Sequence, residues 1–142
     1  MEVKELRLRN WIGFGRKENG DFLIGQVEGL HGDLMGGTVN IKNHDQTFLA
    51  QQLFPIPLTE EWLLKFGFED VTGVYYTLHI SPDFKLLLIP ADGFYPQLNK
   101  ADENGWQSVS LNKIEFVHQL QNLYFALTGE ELLIAKSHVE RL

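Results

Sequence analysis

Apolar and polar positions alternate through much of the first fifty residues. Leu6 and Leu8 interleave with Arg7 and Arg9, the period of two expected of a half-buried strand. The pattern continues through Trp11 and Ile12 into Gly13-Phe14-Gly15. The polar stretch RKENGD at 16–21 reads as a turn. Phe22 to Val27 is the next strand, with Gly25 as a bulge or a point of close backbone approach. The glycine-rich stretch 30–37 predicts a loop, after which Val39 and Ile41 resume the alternation. Asn43-His44-Asp45-Gln46 is a turn, and Thr47 to Ala50 a further short strand. Short strands punctuated by glycine predict a small barrel or curled sheet; an SH3-like barrel is the expectation for residues 1 to about 54.

The period then changes. Pro55-Ile56-Pro57 is extended, because a residue before proline avoids the α region. Thr59 is positioned as an N-cap, Glu60 and Glu61 occupy the first turn where the helix dipole favours them, and Leu58 can staple to Leu63. Trp62, Leu63 and Phe66 share a face, and Gly67 reads as the left-handed stop. Val74, Tyr76, Leu78 and Ile80 alternate with Tyr75, Thr77 and His79; Ser81-Pro82-Asp83 turns, and Phe84 to Ile89 returns with apolar residues on both faces. That is an antiparallel hairpin with one strand near the middle of a second sheet. PADGFYPQLNKADENG at 90–105 predicts a long loop, and Trp106 to Leu111 a strand.

The strongest helical stripe is Phe116, Leu120, Leu123, Tyr124 and Leu127, with a period of 3.6. His118, Gln119, Gln121 and Asn122 occupy the opposite face as a solvated surface, with Phe125 beside them. Gly129 stops this helix, or Thr128 caps a new one with Glu131 completing a capping box; residues 131–135 read equally as strand or helix. Strands and helices without βαβ alternation predict an α+β fold, antiparallel throughout. One domain over residues 1–142 is expected, the alternative being a β-rich part at 1–54 and a second part at 55–142.

Composition narrows the function. The chain has 142 residues, is 44% hydrophobic and carries a formal charge of −7, so it can bury a core and repay its ordering entropy. It contains no cysteine, which excludes disulfides, thiolate metal sites and a cysteine nucleophile. No apolar run approaches the length of a membrane span, and the charged opening MEVKELRLRN lacks the apolar core of a secretory signal. A cytoplasmic protein without a membrane partner is expected. Charge is uneven: Lys4, Arg7, Arg9, Arg16 and Lys17 face only Glu2 and Glu5 within the first seventeen residues. That cluster is either the wet face of a strand or an interaction surface.

Catalytic signatures are missing. Gly15-Arg16-Lys17 has neither the spacing nor the hydroxyl of a phosphate-binding loop, and Gly13 and Gly15 begin a dinucleotide fingerprint that Glu18 ends. No G-x-S-x-G elbow occurs. Imidazole and carboxylate suit a divalent cation, so His31, Asp33, His44 and Asp45 form a candidate metal cluster if two turns converge. Their spacing matches no metal motif, and all four are ordinary loop residues. No cofactor and no catalytic residue is assigned.

Two segments are distinctive: IPLTEEWLLKFGF at 56–68 and FVHQLQNLYFALTGEEL at 116–132. With the opening ELRLRNWI, they resemble a family of small uncharacterised proteins encoded by Bacteroides-group bacteria, often in phage-like or mobile-element contexts. The family opening is nearer L-R-I-G-N; here Arg9 stands where glycine is common. The resemblance implies an accessory protein of a mobile element and brings no activity or cofactor with it.

The expected function is therefore non-enzymatic interaction with a protein partner or with a second copy, through His118, Gln121, Asn122 and Phe125. The first alternative is nucleic-acid binding through Arg7, Arg9, Arg16 and Lys17, with Trp11 and Phe14 stacking on bases; the acidic net charge disfavours it. The second alternative is a metal-dependent hydrolase built on His31, Asp33, His44 and Asp45.

Overall fold

The computed structural model describes residues 5–15, 22–33 and 36–135. Arg16 and Lys17 of the basic cluster lie outside them. The fold is α+β, with two five-stranded antiparallel sheets and two α-helices. The chain divides into two compact units, Met1–Pro57 with Phe116–Glu131, and Leu58–Glu115 with Leu132–Leu142.

In the first unit, β1 (Trp11–Phe14), β2 (Leu23–Asp33), β3 (Gly36–Ile41), β4 (Thr47–Leu49) and β5 (Leu53–Phe54) take the order β4-β3-β2-β1-β5. A single 3-10 turn, Ala50–Gln52, joins β4 to β5. In this order, with that turn, the five strands make a curled half-barrel sheet. β2 pairs with both β1 and β3, and its register shifts between Val27 and Gly29; such a bulge bends a strand and lets it serve both halves of a curled sheet. The interior holds Leu6, Ile12, Phe14, Val27, Val39, Ile41, Phe48 and Leu53. Gly25 is a close-approach point, since a Cβ there would meet Ile41 Cγ2 at 2.5 Å and Phe14 Cε1 at 3.0 Å.

Two expectations for this unit are corrected. The alternation at Leu6–Arg9 is not a strand: Leu6 is buried but Leu8 is half exposed, and a turn returns Asn10 N–H to the Arg7 carbonyl at 3.2 Å. β1 therefore begins only at Trp11. The glycine-rich stretch 30–37 is not a free loop, because β2 and β3 pair from Leu30–Val39 out to Asp33–Gly36. Glycine weakens strand propensity, but backbone pairing within a hairpin does not need side chains.

In the second unit, α1 (Glu60–Lys65) forms where its signals place it. Thr59 is the N-cap, its Oγ1 accepting from Trp62 N–H at 3.4 Å. At the other end Phe68 N–H donates to the Leu63 carbonyl and Gly67 N–H to the Leu64 carbonyl, at 3.0 and 3.1 Å. With Gly67 at φ 92°, this is a Schellman closure. Phe68 and Leu63, the apolar pair that accompanies it, are both buried.

The sheet of this unit is a meander, β6 (Glu69–Val71), β7 (Tyr75–Ser81), β8 (Phe84–Ala91), β9 (Gly93–Asp102) and β10 (Gly105–Ser110), in the order β10-β9-β8-β7-β6. β8 lies at its centre, and Leu86, Leu87 and Leu88 are all buried. The long loop expected at 90–105 is instead mostly β9, paired on both sides. Pro96 concealed it, since proline in a central strand removes a ladder donor. Here Pro96 stands opposite Leu111, just past the end of β10, and acts through its carbonyl, which accepts Leu111 N–H at 2.9 Å. The donor it lacks would point where the ladder has already ended.

The closing helix, α2 (Val117–Thr128), ends at Gly129 in the left-handed conformation, φ 73°. No helix starts at Thr128, and residues 131–135 form no regular element. The buried face of α2 is Val117, His118, Leu120 and Gln121, so the stripe is rotated from the one expected. Leu120 is core, while Phe116, Leu123, Tyr124 and Leu127 are only half buried. No helix among the described residues is long and apolar enough to cross a membrane.

Because Leu120 is fully enclosed, Leu120→Ala should lower stability by about 2–5 kcal/mol. The half-buried Leu123→Ala should cost clearly less. Urea denaturation of the two variants checks this, and equal losses would contradict the rotated face.

Candidate functional site

The polar face of α2, expected to be solvated, is instead docked within the first unit. His118 is 4% exposed and Gln121 1%. A fully buried amide must be satisfied or it costs free energy, and Gln121 is satisfied by the backbone at the entrance to β1. Its Oε1 accepts Trp11 N–H at 2.8 Å, and its Nε2 donates to the Arg9 carbonyl at 3.1 Å. Asn122 continues the contact one residue on. Its Oδ1 accepts from Asn10 Nδ2 at 2.9 Å and its Nδ2 donates to the Glu5 carbonyl at 3.1 Å.

Asn10 is itself fully buried, and its Oδ1 accepts Arg7 N–H at 2.7 Å. That bond fixes the amide's orientation, because a backbone N–H can face only the oxygen. The turn from Arg7 to Trp11 is thus held from inside by Asn10 and from outside by two amides of α2. Arg9 adopts φ 72°, a region that costs an L-residue about 1–2 kcal/mol. Its carbonyl receives Gln26 Nε2 as well as Gln121 Nε2.

Arg7 belongs to the same assembly. Its guanidinium forms a fork with Glu131, at 2.8 and 3.3 Å, reaches the Gln121 carbonyl at 3.3 Å and lies 4.2 Å from the Phe125 ring centroid. Both ion-pair partners are largely shielded, with side chains 27% and 19% exposed. Arg7 is therefore already engaged by a carboxylate and an aromatic face. The surface expected at His118, Gln121, Asn122 and Phe125 is an internal joint, with His118 and Gln121 buried, Asn122 half-buried and Phe125 exposed.

His118 stacks on Phe116 at 6.0 Å with 10° between the rings, and its Nδ1 has no hydrogen-bond partner among the described residues. Burial pushes its pKa below the usual 6.5, and the carboxylate of Glu5 offsets this only in part. A proton here would place charge in an enclosed site.

The nucleic-acid surface is dispersed. Phe14 is 2% exposed, in contact with His44 at 4.7 Å and Phe48 at 5.2 Å between ring centroids. It cannot stack on a base. Trp11 is half buried and its N–H is taken by Gln121. Of the metal candidates, His31 lies on β2 opposite Thr38, Asp33 ends that strand, and His44 and Asp45 are exposed in the turn after β3. Among the described residues, no three His, Asp or Glu side chains converge as a cation would require.

Sequence reasoning missed a cleft of about 450 Å³ on the half-barrel, lined by Gly15, Gln46, Phe48, Gln52 and Phe54. Phe54 stacks on the half-exposed Phe22, 4.3 Å between centroids and 19° between planes. Gln52 sits on the 3-10 turn and its Oε1 accepts Leu49 N–H at 2.8 Å. The available signal was the cluster of glutamines and phenylalanines at 46–54, which resembles ordinary strand sequence until the 3-10 turn gathers it. The chain matches no protein-family model, no curated protein and no solved structure.

Gln121→Leu keeps the volume of the side chain but withdraws a donor and an acceptor from buried backbone groups. It should cost about 1–3 kcal/mol, read by chemical denaturation; a neutral effect would show that the clamp is dispensable.

The pH dependence has a definite sign. With a folded pKa below the unfolded 6.5, His118 takes up its proton more readily in the unfolded chain. Stability is fully present above 6.5 and falls as pH drops from there toward the folded value. Melting curves across this window should show the loss, and His118→Leu should flatten it. An unchanged slope in that variant would assign the dependence to other groups.

Proposed function

We propose that this chain is a non-enzymatic interaction protein that holds an extended, apolar segment of a protein partner in the cleft between the end of β1 and the 3-10 turn. The observation that carries this reading is the cleft's chemistry. Phe48 and Phe54 offer an apolar lining, while Gln46 brings an amide that both donates and accepts and Gln52 an amide donor, its oxygen being held by Leu49 N–H. An extended peptide needs both, having unpaired backbone groups along its length and side chains at intervals. None of the five lining residues titrates near neutrality, so the cleft suits binding rather than proton transfer.

Residence in the cytoplasm and service to a mobile element are part of the proposal, the latter supported by the resemblance of the two distinctive segments. Nucleic-acid binding has lost support, since Arg7 is occupied and Phe14 enclosed.

Peptides selected on the protein from a random display library should be enriched in aromatic and aliphatic residues. Gln46 is exposed at the cleft, so Gln46→Arg should leave the melting temperature unchanged. It should weaken selected peptides about tenfold or more, which corresponds to about 1.4 kcal/mol. A library yielding no peptide sensitive to Gln46→Arg would reject the cleft as the binding site.

A further inference from the structure

A sheet edge carries a row of unpaired backbone groups, and proteins ordinarily blunt such edges with charge, proline, a bulge or brevity. Among the described residues there are four sheet edges, and three follow that rule. β4 has three residues and β5 two. β6 has three, and its Glu69 and Asp70 are exposed. β10 is the exception. Gly105-Trp106-Gln107-Ser108-Val109-Ser110 contains no charge and no proline, pairs with β9 through six consecutive residues without a register shift, and is exposed at every position.

Which groups face outward follows from the ladder. Leu111 N–H points to β9, donating to Pro96. Orientation alternates along an antiparallel strand, so Val109, Gln107 and Gly105 also direct their backbone groups to β9. Trp106, Ser108 and Ser110 direct theirs outward. The outward set is spaced evenly about Ser108.

From this spacing we infer that β10 is a dimerisation edge, pairing antiparallel with β10 of a second copy about a two-fold axis through Ser108. In that register Ser108 meets its own copy, and Trp106 of each chain meets Ser110 of the other. All three residue pairs are of the hydrogen-bonded type and supply six backbone bonds. The small Ser110 leaves room for the indole, which Lys85 already covers from within its own chain at 4.5 Å from the ring centroid. On the opposite face Gln107 meets Val109. No like charges oppose one another, although the whole chain carries −7. The self-complementary strand favours a second copy over a foreign one, because an isologous contact needs a patch that matches itself. The contact also closes on itself, since it consumes the one unguarded edge among the described residues. The inference stands independently of the cleft, which lies on the other unit.

Sedimentation velocity of the full chain, from micromolar to sub-millimolar concentrations, tests it. The wild type should move from monomer to dimer as concentration rises and should not go further. Ser108→Lys sets two lysines against each other at the axis and should remain monomeric, with the wild-type melting temperature at concentrations where the wild type is itself monomeric. Ser108→Glu should behave likewise. Mixing the two variants should restore a dimer, which only pairing of β10 with β10 explains. A wild type that stays monomeric throughout would overturn the proposal. So would a dimer that persists in Ser108→Lys, or two charge variants that fail to combine. Peptide binding at the cleft should be the same in all these variants, so the two readings fail separately.

Discussion

The buried amide of Gln121 is the contact on which the first unit depends. β1 lies between β2 and β5, so any error in where β1 begins propagates to both neighbours. Its start is set at Trp11, immediately after a turn that no regular hydrogen bonding could complete. A side chain from a helix more than a hundred residues later supplies the missing acceptor and a second donor. The amide is suited to this because it is a donor and an acceptor at once and carries no charge to desolvate. Asn122, Asn10 and the Arg7–Glu131 pair extend the same seam, so a left-handed Arg9 is held in place by its surroundings rather than by preference.

That seam accounts for the opening segment and the closing-helix segment of the first unit in plain physical terms. ELRLRNWI and FVHQLQNLYF lie against each other, residue on residue. Their polar character is that of a buried joint, not of a surface. Arg9 is one of the few residues other than glycine with a positive φ, at 72°. Glycine occupies that region without a steric cost, and Arg9 occupies it against one.

Much of the fold was legible because its signals were local. Thr59, the paired glutamates and Gly67 bound α1 by capping chemistry alone, and Tyr75–Ser81 with Phe84–Ala91 declared a hairpin by alternation and a Pro-Asp turn. Where the reading failed, a long-range partner overrode the local pattern. β9 was hidden by a proline whose missing donor falls beyond its neighbour's end. The turn at Leu8–Asn10 interrupted an apparent strand because Asn10 found bonds elsewhere. The polar face of α2 looked solvated because periodicity reports polarity, and a glutamine satisfied by backbone has the same letter as one satisfied by water. The cleft was illegible for a related reason, its five residues being gathered by the 3-10 turn and the curl of the sheet.

The first unit is discontinuous in sequence, and synthesis on the ribosome proceeds in one direction. The five strands of the half-barrel emerge early, yet the helix that fixes the start of β1 emerges only after the whole of the second sheet has been made. The nascent half-barrel must therefore wait, its entrance turn unclamped, while roughly sixty further residues are translated. At synthesis speeds of about 5–20 residues per second, that interval lasts several seconds, far longer than a hairpin needs to form. The second unit, which apart from its closing residues is contiguous in the chain, is free to assemble first. The last helix then acts as the step that commits the first residues to their place.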